Sequence, residues 1–78
     1  MAALDPTQRR ILEIVLDQRS VSDAVIAPQV QAGWTEDDVC RLTVKLRKLG
    51  LLAETAYASD RWSITEAGRS ALAEADAA

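Results

Sequence analysis

Five cationic side chains lie close together in the sequence, between positions 41 and 61. They are Arg41, Lys45, Arg47, Lys48 and Arg61. Because only two acids accompany them, this segment carries a net charge of +3, whereas the whole chain carries −3. Lysine and arginine side chains bind phosphate and carboxylate groups, so the segment favours an anionic partner. The alternative is that these cations form the solvated side of a helix and complement the negative end of its dipole.

The remaining chemistry-bearing side chains exclude several kinds of catalytic and metal site. The chain has no histidine and a single cysteine, so Ser–His and Cys–His pairs, an internal disulfide and the usual zinc ligand sets are excluded. The three glycines are scattered and form no phosphate-binding loop. The acids at 36–38 are interpreted as the first turn of a helix, where carboxylates favour the helix dipole. The sequence therefore predicts a binding domain and not an enzyme, with no cofactor and no metal.

Most of the cations belong to a predicted helix over residues 36–49. Its apolar residues are spaced by three and four, so they lie on one face that packs on a core. They are Val39, Leu42, Leu46 and Leu49. Thr35 is a predicted N-cap, and Gly50 is predicted to end the helix. The outward face is centred on Asp37, Cys40, Arg41, Val44 and Lys48, with Lys45 and Arg47 at its edges.

A first helix is predicted from Pro6 to about residue 19. Asp5 and Gln8 form a capping box at its start, and proline suits the first helical position. The apolar stripe that this helix buries is predicted to contain Ile11, Leu12, Ile14, Val15 and Leu16.

A second helix is predicted to end near residue 31, with Ser22 or Asp23 as its cap and with Val25, Ile26 and Val30 facing inward. Because proline inside a helix removes a backbone hydrogen bond, Pro28 leaves two alternatives. Either it lies at the limit of the first turn, or the helix begins near Ala27. Residues 20–22 are interpreted as a short link or as one bridge of a small sheet.

A β-hairpin and a last helix are predicted after Gly50. The strands are expected at 51–55 and 61–64, joined by a tip at 56–60. Thr65 is a predicted cap for a last helix over 66–74, in which Ala67, Ala71 and Leu72 form the apolar side. Trp34 and Trp62 are expected in the core or at its rim.

The order of helix, helix, helix, hairpin and helix resembles that of winged helix-turn-helix domains, in particular the MarR/PadR-type regulators. The first helix of that family is similar to LDPTQRRILEIVL, and its reading helix with the first wing strand is similar to VCRLTVKLRKLGLLAE. Its second wing strand and following helix are similar to WSITEAGRSAL, where Thr-Glu-x-Gly-Arg is a frequent signature. The resemblance covers nearly the whole chain. It implies a mainly α fold with a small β-hairpin: a three-helix core, a two-stranded wing and a C-terminal helix.

Two departures from the family change what the resemblance implies. The turn between the second and third helices is about two residues longer than usual, through residues 31–32. The sequence also stops before the extra helices that build the family's dimer and its ligand pocket. We therefore do not expect a small-molecule ligand, although a homodimer stays open as an arrangement.

The first functional hypothesis is a small DNA-binding protein that regulates transcription. Its helix 36–49 would lie in the major groove of double-stranded DNA, with the hairpin 51–64 as the wing. Arg41 and Lys45 would face the groove, and the other cations would hold phosphates. The backbone amide of Thr35 would be offered to a phosphate. The expected DNA contacts are Thr35, Arg41, Lys45, Arg47, Lys48 and Arg61.

The second hypothesis is a winged-helix module for protein–protein contact, such as an anti-regulator, an adaptor or a complex subunit. It rests on the net acidity of the chain, the acids at 36–38 and apolar residues on the outward face. The expected interface residues are Asp37, Cys40, Val44 and Tyr57. Tyr57 either contacts a partner or folds back on the hairpin. For Cys40 the alternatives are a small hydrophobe at an interface, a base contact or a redox-sensitive thiol.

Length and hydropathy bound the remaining possibilities. A chain of 78 residues predicts one domain spanning 1–78. No apolar run approaches the roughly 20 residues of a membrane span, and the first ten residues lack the apolar core of a signal peptide. We therefore expect a cytoplasmic protein that does not bind membranes.

Overall fold

The computed structural model describes residues 4–55 and 61–77, which form a mainly helical fold with a small antiparallel sheet. Its elements are α1 (Pro6–Gln18), β1 (Val21–Ser22), α2 (Asp23–Val30), α3 (Glu36–Lys48), β2 (Leu52–Glu54), β3 (Arg61–Ile64) and α4 (Glu66–Ala77). The strands form one sheet in the order β1-β3-β2. The predicted two-stranded hairpin is therefore part of a three-stranded sheet, because the link between α1 and α2 adds a third strand. Among the described helices, none is long and apolar enough to cross a membrane.

The helix α1 begins as predicted and ends in a strained turn. The Gln8 N–H donates to Asp5 Oδ1 over 2.7 Å, and the Asp5 N–H donates to Gln8 Oε1 over 3.2 Å, which confirms the capping box. At the other end, Arg19 has φ 68° and ψ −48°. The Ser20 N–H donates to the Gln18 carbonyl over 2.8 Å, which closes a γ-turn centred on Arg19. Such a backbone conformation in a residue other than glycine costs about 1–3 kcal/mol.

The helix α2 contradicts both alternatives for Pro28. It begins at Asp23, behind Ser22 as N-cap, and Pro28 lies inside it. Pro28 is on the exposed side of the helix, where the carbonyl left without an intrahelical donor can bond to water. The inward prediction for Val25 is wrong, because this residue also lies on the solvent side of α2 and is 47% exposed. Ile26 is fully buried, as predicted.

The core lies between the helices and the sheet. Its buried hydrophobic residues are Ile11, Leu12, Ile14, Val15, Val21, Ile26, Ala27, Val39, Leu46, Leu52, Trp62 and Leu72. Trp34 packs at the rim of this core, so the prediction for both tryptophans is confirmed. The predictions for Leu16 and Leu49 are wrong, because these side chains are 44% and 57% exposed. Leu49 follows the last residue of α3 as its C-cap, and the chain turns away at Gly50, whose φ is 81°.

The hairpin strands lie within one residue of their predicted bounds. β2 and β3 pair antiparallel with Leu52 opposite Ile64, Ala53 opposite Ser63 and Glu54 opposite Trp62. On its other side, β3 pairs with β1 through Trp62 opposite Val21. The predicted tip at 56–60 lies outside the described residues.

The helix α4 packs closely on the start of the hairpin. Its predicted cap is confirmed, since the Thr65 hydroxyl accepts from the Gly68 N–H over 3.0 Å and donates to the Gly50 carbonyl over 2.6 Å. A Cβ atom at Gly68 would collide with the Leu51 carbonyl oxygen and would lie 2.7 Å from Ile64 Cγ1. Glycine at this position therefore permits the contact between α4 and the chain entering β2. The helix is longer than the predicted 66–74 and ends at residue 77.

Candidate functional site

A polar junction beneath α3 fixes the orientation of this helix. Thr43 is fully buried, and its hydroxyl donates to Asp23 Oδ1 over 2.8 Å. The Trp62 indole N–H donates to the same oxygen over 2.9 Å. Since Asp23 begins α2, Thr43 lies on α3 and Trp62 lies on β3, three elements meet at one carboxylate oxygen. The junction holds the buried side of α3 against α2 and β3, and the apolar spacing of α3 did not predict this polar contact.

The outward face of α3 presents three cations in a row, which we call the basic ridge: Arg41, Lys45 and Lys48. All three are exposed, and their spacing of four and three places them on one side of the helix. Within residues 4–55 and 61–77, none of their side chains makes a hydrogen bond or an ion pair. The ridge extends about 10 Å along the helix axis, given a rise of about 1.5 Å per residue. Asp37, also exposed, lies one turn before Arg41 on the same side.

The first turn of α3 is acidic, and its capping amide already has an acceptor. The Thr35 N–H donates to Asp38 Oδ2 over 2.8 Å, and the Thr35 hydroxyl donates to the same oxygen over 3.3 Å. The side chains of Glu36, Asp37 and Asp38 are exposed. A phosphate bound by the Thr35 amide, as the sequence predicts, would therefore compete with the Asp38 carboxylate.

The other two predicted cations make intramolecular contacts away from the basic ridge. Arg47 Nη1 lies 4.0 Å from Glu54 Oε1 on β2, and both side chains are about half exposed. Such an exposed pair contributes little to stability. Arg61 Nη1 donates to the Ser20 carbonyl over 3.4 Å, near the β1 edge of the sheet. The structure thus groups three of the five predicted cations on one side of α3, whereas Arg47 contacts Glu54 and Arg61 contacts Ser20.

The predicted apolar interface on α3 is smaller than expected. Cys40 is exposed as a free thiol. Val44, expected at the centre of the outward face, is instead half-buried. Val44 lies one turn before Arg47, and Arg47 reaches β2, so this flank of α3 is turned towards the sheet. Tyr57 lies outside the described residues.

Comparison of the chain with family models, with curated proteins and with solved structures gives no match. The described residues also contain no group of three or more histidine, cysteine, aspartate or glutamate side chains that could hold a metal ion. What the described surface does offer is charge, on two separate faces. One is the basic ridge.

The other charged face lies between α1 and α4 and was not predicted. Leu16 is exposed there, and Arg69 of α4 lies beside it. On α1, Glu13 and Asp17 occupy positions three before and one after Leu16, so part of this face was visible in the sequence as charges around an apolar residue. The contribution of Arg69 depends on how α4 packs, and no sequence pattern indicates that.

Proposed function

We propose that this chain is a winged helix-turn-helix domain that binds double-stranded DNA as a small transcriptional regulator in the cytoplasm. It acts as a binding domain and not as an enzyme. In this proposal α3 lies in the major groove, and the hairpin of β2 and β3 is the wing. The order of three helices, a hairpin and a fourth helix supports this assignment of the fold.

The observation that carries the proposal is the basic ridge on an acidic protein. The chain has a net charge of −3, yet three exposed cations follow one another along the outward side of a single helix. DNA carries one negative charge per about 1.7 Å of its axis, so a ridge about 10 Å long meets several phosphates. The buried junction under α3 supports the proposal further, because a helix with a fixed orientation can present its cations together.

The acidic first turn of α3 favours contact through the C-terminal half of the helix. Carboxylates at 36–38 repel phosphates, although an acidic side chain can accept a hydrogen bond from the cytosine amine. Three phosphate contacts predict a slope of about −2.7 in log K against log salt, because each contributes about 0.9. Affinity should then fall about 40-fold between about 50 and 200 mM salt.

The proposal is tested by an NMR titration of the labelled protein with a generic duplex at these two salt concentrations. We expect a Kd of roughly 10⁻⁴ to 10⁻⁶ M for nonspecific binding, with shifts centred on Arg41, Lys45 and Lys48. Lys48→Ala should weaken binding to all duplexes alike and reduce the slope to about −1.8. The control is Arg10→Ala, which removes an exposed cation from α1 together with its 3.4 Å hydrogen bond from Nε to the Gln29 carbonyl and should leave both values unchanged. An absence of shifts at low salt would contradict the proposal.

A second candidate function, a protein-contact module, is favoured by the exposed apolar groups on α3. Cys40 is exposed, and Leu49 is 57% exposed at the end of the helix. Because Val44 is half-buried, Val44→Asp would disturb packing as well as any interface. Cys40→Asp is the cleaner variant: under this alternative it abolishes partner binding and leaves the melting temperature unchanged. Partner binding by this variant at the wild-type affinity would count against such an interface on α3.

A further inference from the structure

The exposed surface between α1 and α4 contains both signs of charge around the exposed side chain of Leu16. Two open grooves meet there and share Leu16 and Arg69. The first groove is also lined by Arg19, and the second by Glu13 and Asp17. We call these five residues the balanced patch, since two basic and two acidic side chains surround the leucine.

The charges of the balanced patch have no partners within the described part of the chain. Glu13, Asp17, Arg19 and Arg69 make no side-chain hydrogen bond and no ion pair there. The two acids line one groove, Arg19 lines the other, and Arg69, like Leu16, lines both. The patch is therefore divided into an acidic side and a basic side, with Leu16 between the two.

We propose that the balanced patch is a self-association surface, and that its occupant is a second copy of this chain. In a twofold dimer, residue i of one copy contacts residue j of the other and the reverse. An axis passing near Leu16 brings the acidic side of each copy against the basic side of its partner and joins the two leucines at the centre. A partner of a single charge sign would satisfy half of the patch and be repelled by the other half.

The backbone at Arg19 supports this inference independently. Arg19 occupies the centre of a γ-turn at φ 68°, a conformation that glycine adopts without cost. Strained residues persist where the surrounding structure and its function require them. Here the strained residue supplies one of the two cations that line the first groove, and Arg69 of α4 supplies the other.

The size of the patch predicts a weak dimer. A standard interface buries about 800 Å² on each partner, which is roughly one sixth of the 5086 Å² of accessible surface of this chain. A patch centred on one leucine is smaller, so we expect a Kd above about 1 µM. Opposite charges then determine specificity, and dimerisation weakens as salt is added. This inference does not rest on DNA binding.

The test is sedimentation velocity of the free protein at concentrations up to about 1 mM, with two complementary charge-reversed variants. The acidic variant carries Arg19→Glu and Arg69→Glu, and the basic variant carries Glu13→Arg and Asp17→Arg. Each alone should self-associate at least about tenfold more weakly than the wild type. Their equimolar mixture should form a heterodimer at least as stable as the wild-type dimer, which a folding defect in either variant would prevent.

The matched control is Lys48→Glu, the same reversal of charge on the basic ridge, which should dimerise like the wild type. A wild-type chain that stays monomeric at about 1 mM would overturn the proposal and leave the patch to another partner. A mixture that fails to recover dimerisation, while both variants keep the wild-type circular dichroism spectrum, would also overturn it. Because sedimentation is measured without DNA, a negative result for self-association would not change the outcome expected for the duplex titration with Lys48→Ala.

Discussion

The two charged faces of this protein differ in how their signs are arranged. On α3, the basic ridge places three cations in line on one helix, with acids confined to the first turn. Between α1 and α4, the balanced patch combines two cations and two acids from two helices around an exposed leucine. A surface of one sign suits a long polyanion, whereas a surface divided between the signs suits a copy of itself. The arrangement of charge, and not its amount, distinguishes the two proposals.

The largest expected effect comes from a substitution that displaces α4, the helix that carries Arg69 of the balanced patch. Gly68→Ala adds a Cβ that collides with the Leu51 carbonyl oxygen, so α4 must move away from the hairpin. Because the obstacle is backbone, we expect a loss of about 3 kcal/mol in the free energy of unfolding, at the upper end for overpacking. Urea denaturation measures it, with Ser70→Ala on the exposed side of α4 as a near-neutral control. A loss below about 1 kcal/mol would show that α4 adjusts its position easily.

A smaller effect is expected at the junction beneath α3. Asp23→Ala leaves the Trp62 indole N–H without its acceptor, at a cost of about 2 kcal/mol. Thr43 loses less, because its hydroxyl still reaches the Cys40 carbonyl at 3.1 Å. Asp23→Asn keeps an acceptor oxygen and should cost under about 1 kcal/mol. Thermal denaturation of both variants decides whether the junction holds α3: equal losses would assign the effect to the charge of Asp23 and not to its hydrogen bonds.

The smallest effect has the opposite sign. Arg19→Gly relieves the strained φ and should raise the free energy of unfolding by up to about 1 kcal/mol, while it removes a cation from the balanced patch. The variant should therefore be more stable than the wild type and dimerise more weakly. Gln18→Gly, one residue earlier at the helical end of α1, should instead destabilise by about 1 kcal/mol through its backbone, in addition to losing the hydrogen bonds between the Gln18 and Gln29 side chains. Chemical denaturation and sedimentation velocity together test these two variants. Unchanged dimerisation of Arg19→Gly would show that the residue at the γ-turn does not contribute to self-association.

Local signals account for most of what could be predicted. The capping residues Asp5, Thr35 and Thr65 and the turn at Gly50 set the starts of three helices and the end of one, and their effects act within a few residues. Helical spacing likewise placed Arg41 and Lys48 on the outward side of α3 and Lys45 at its edge. These features depend on neighbours in the sequence, so one sequence suffices to find them.

The errors concern residues whose surroundings come from distant parts of the chain. Leu16 and Val25 have the spacing of buried residues, but no element of the described part of the chain covers their sides of α1 and α2. Thr43 is polar by type, yet it is buried because Asp23, twenty residues earlier, accepts its hydrogen bond. Arg61 is a cation whose donor is directed to the Ser20 carbonyl. Periodicity gives the side of a helix on which a residue lies and not the element that will face it.

The central position of β3 makes the sheet a single cooperative unit. Trp62 stands opposite Val21 on one side and opposite Glu54 on the other, so opening the hairpin also releases the segment that joins α1 to α2. The amide protons of this strand should then exchange with solvent only when the entire domain unfolds. In a hydrogen–deuterium exchange experiment, the Trp62 amide would report the global free energy of unfolding, and any core substitution would lower the exchange free energy of this amide by its full loss of stability.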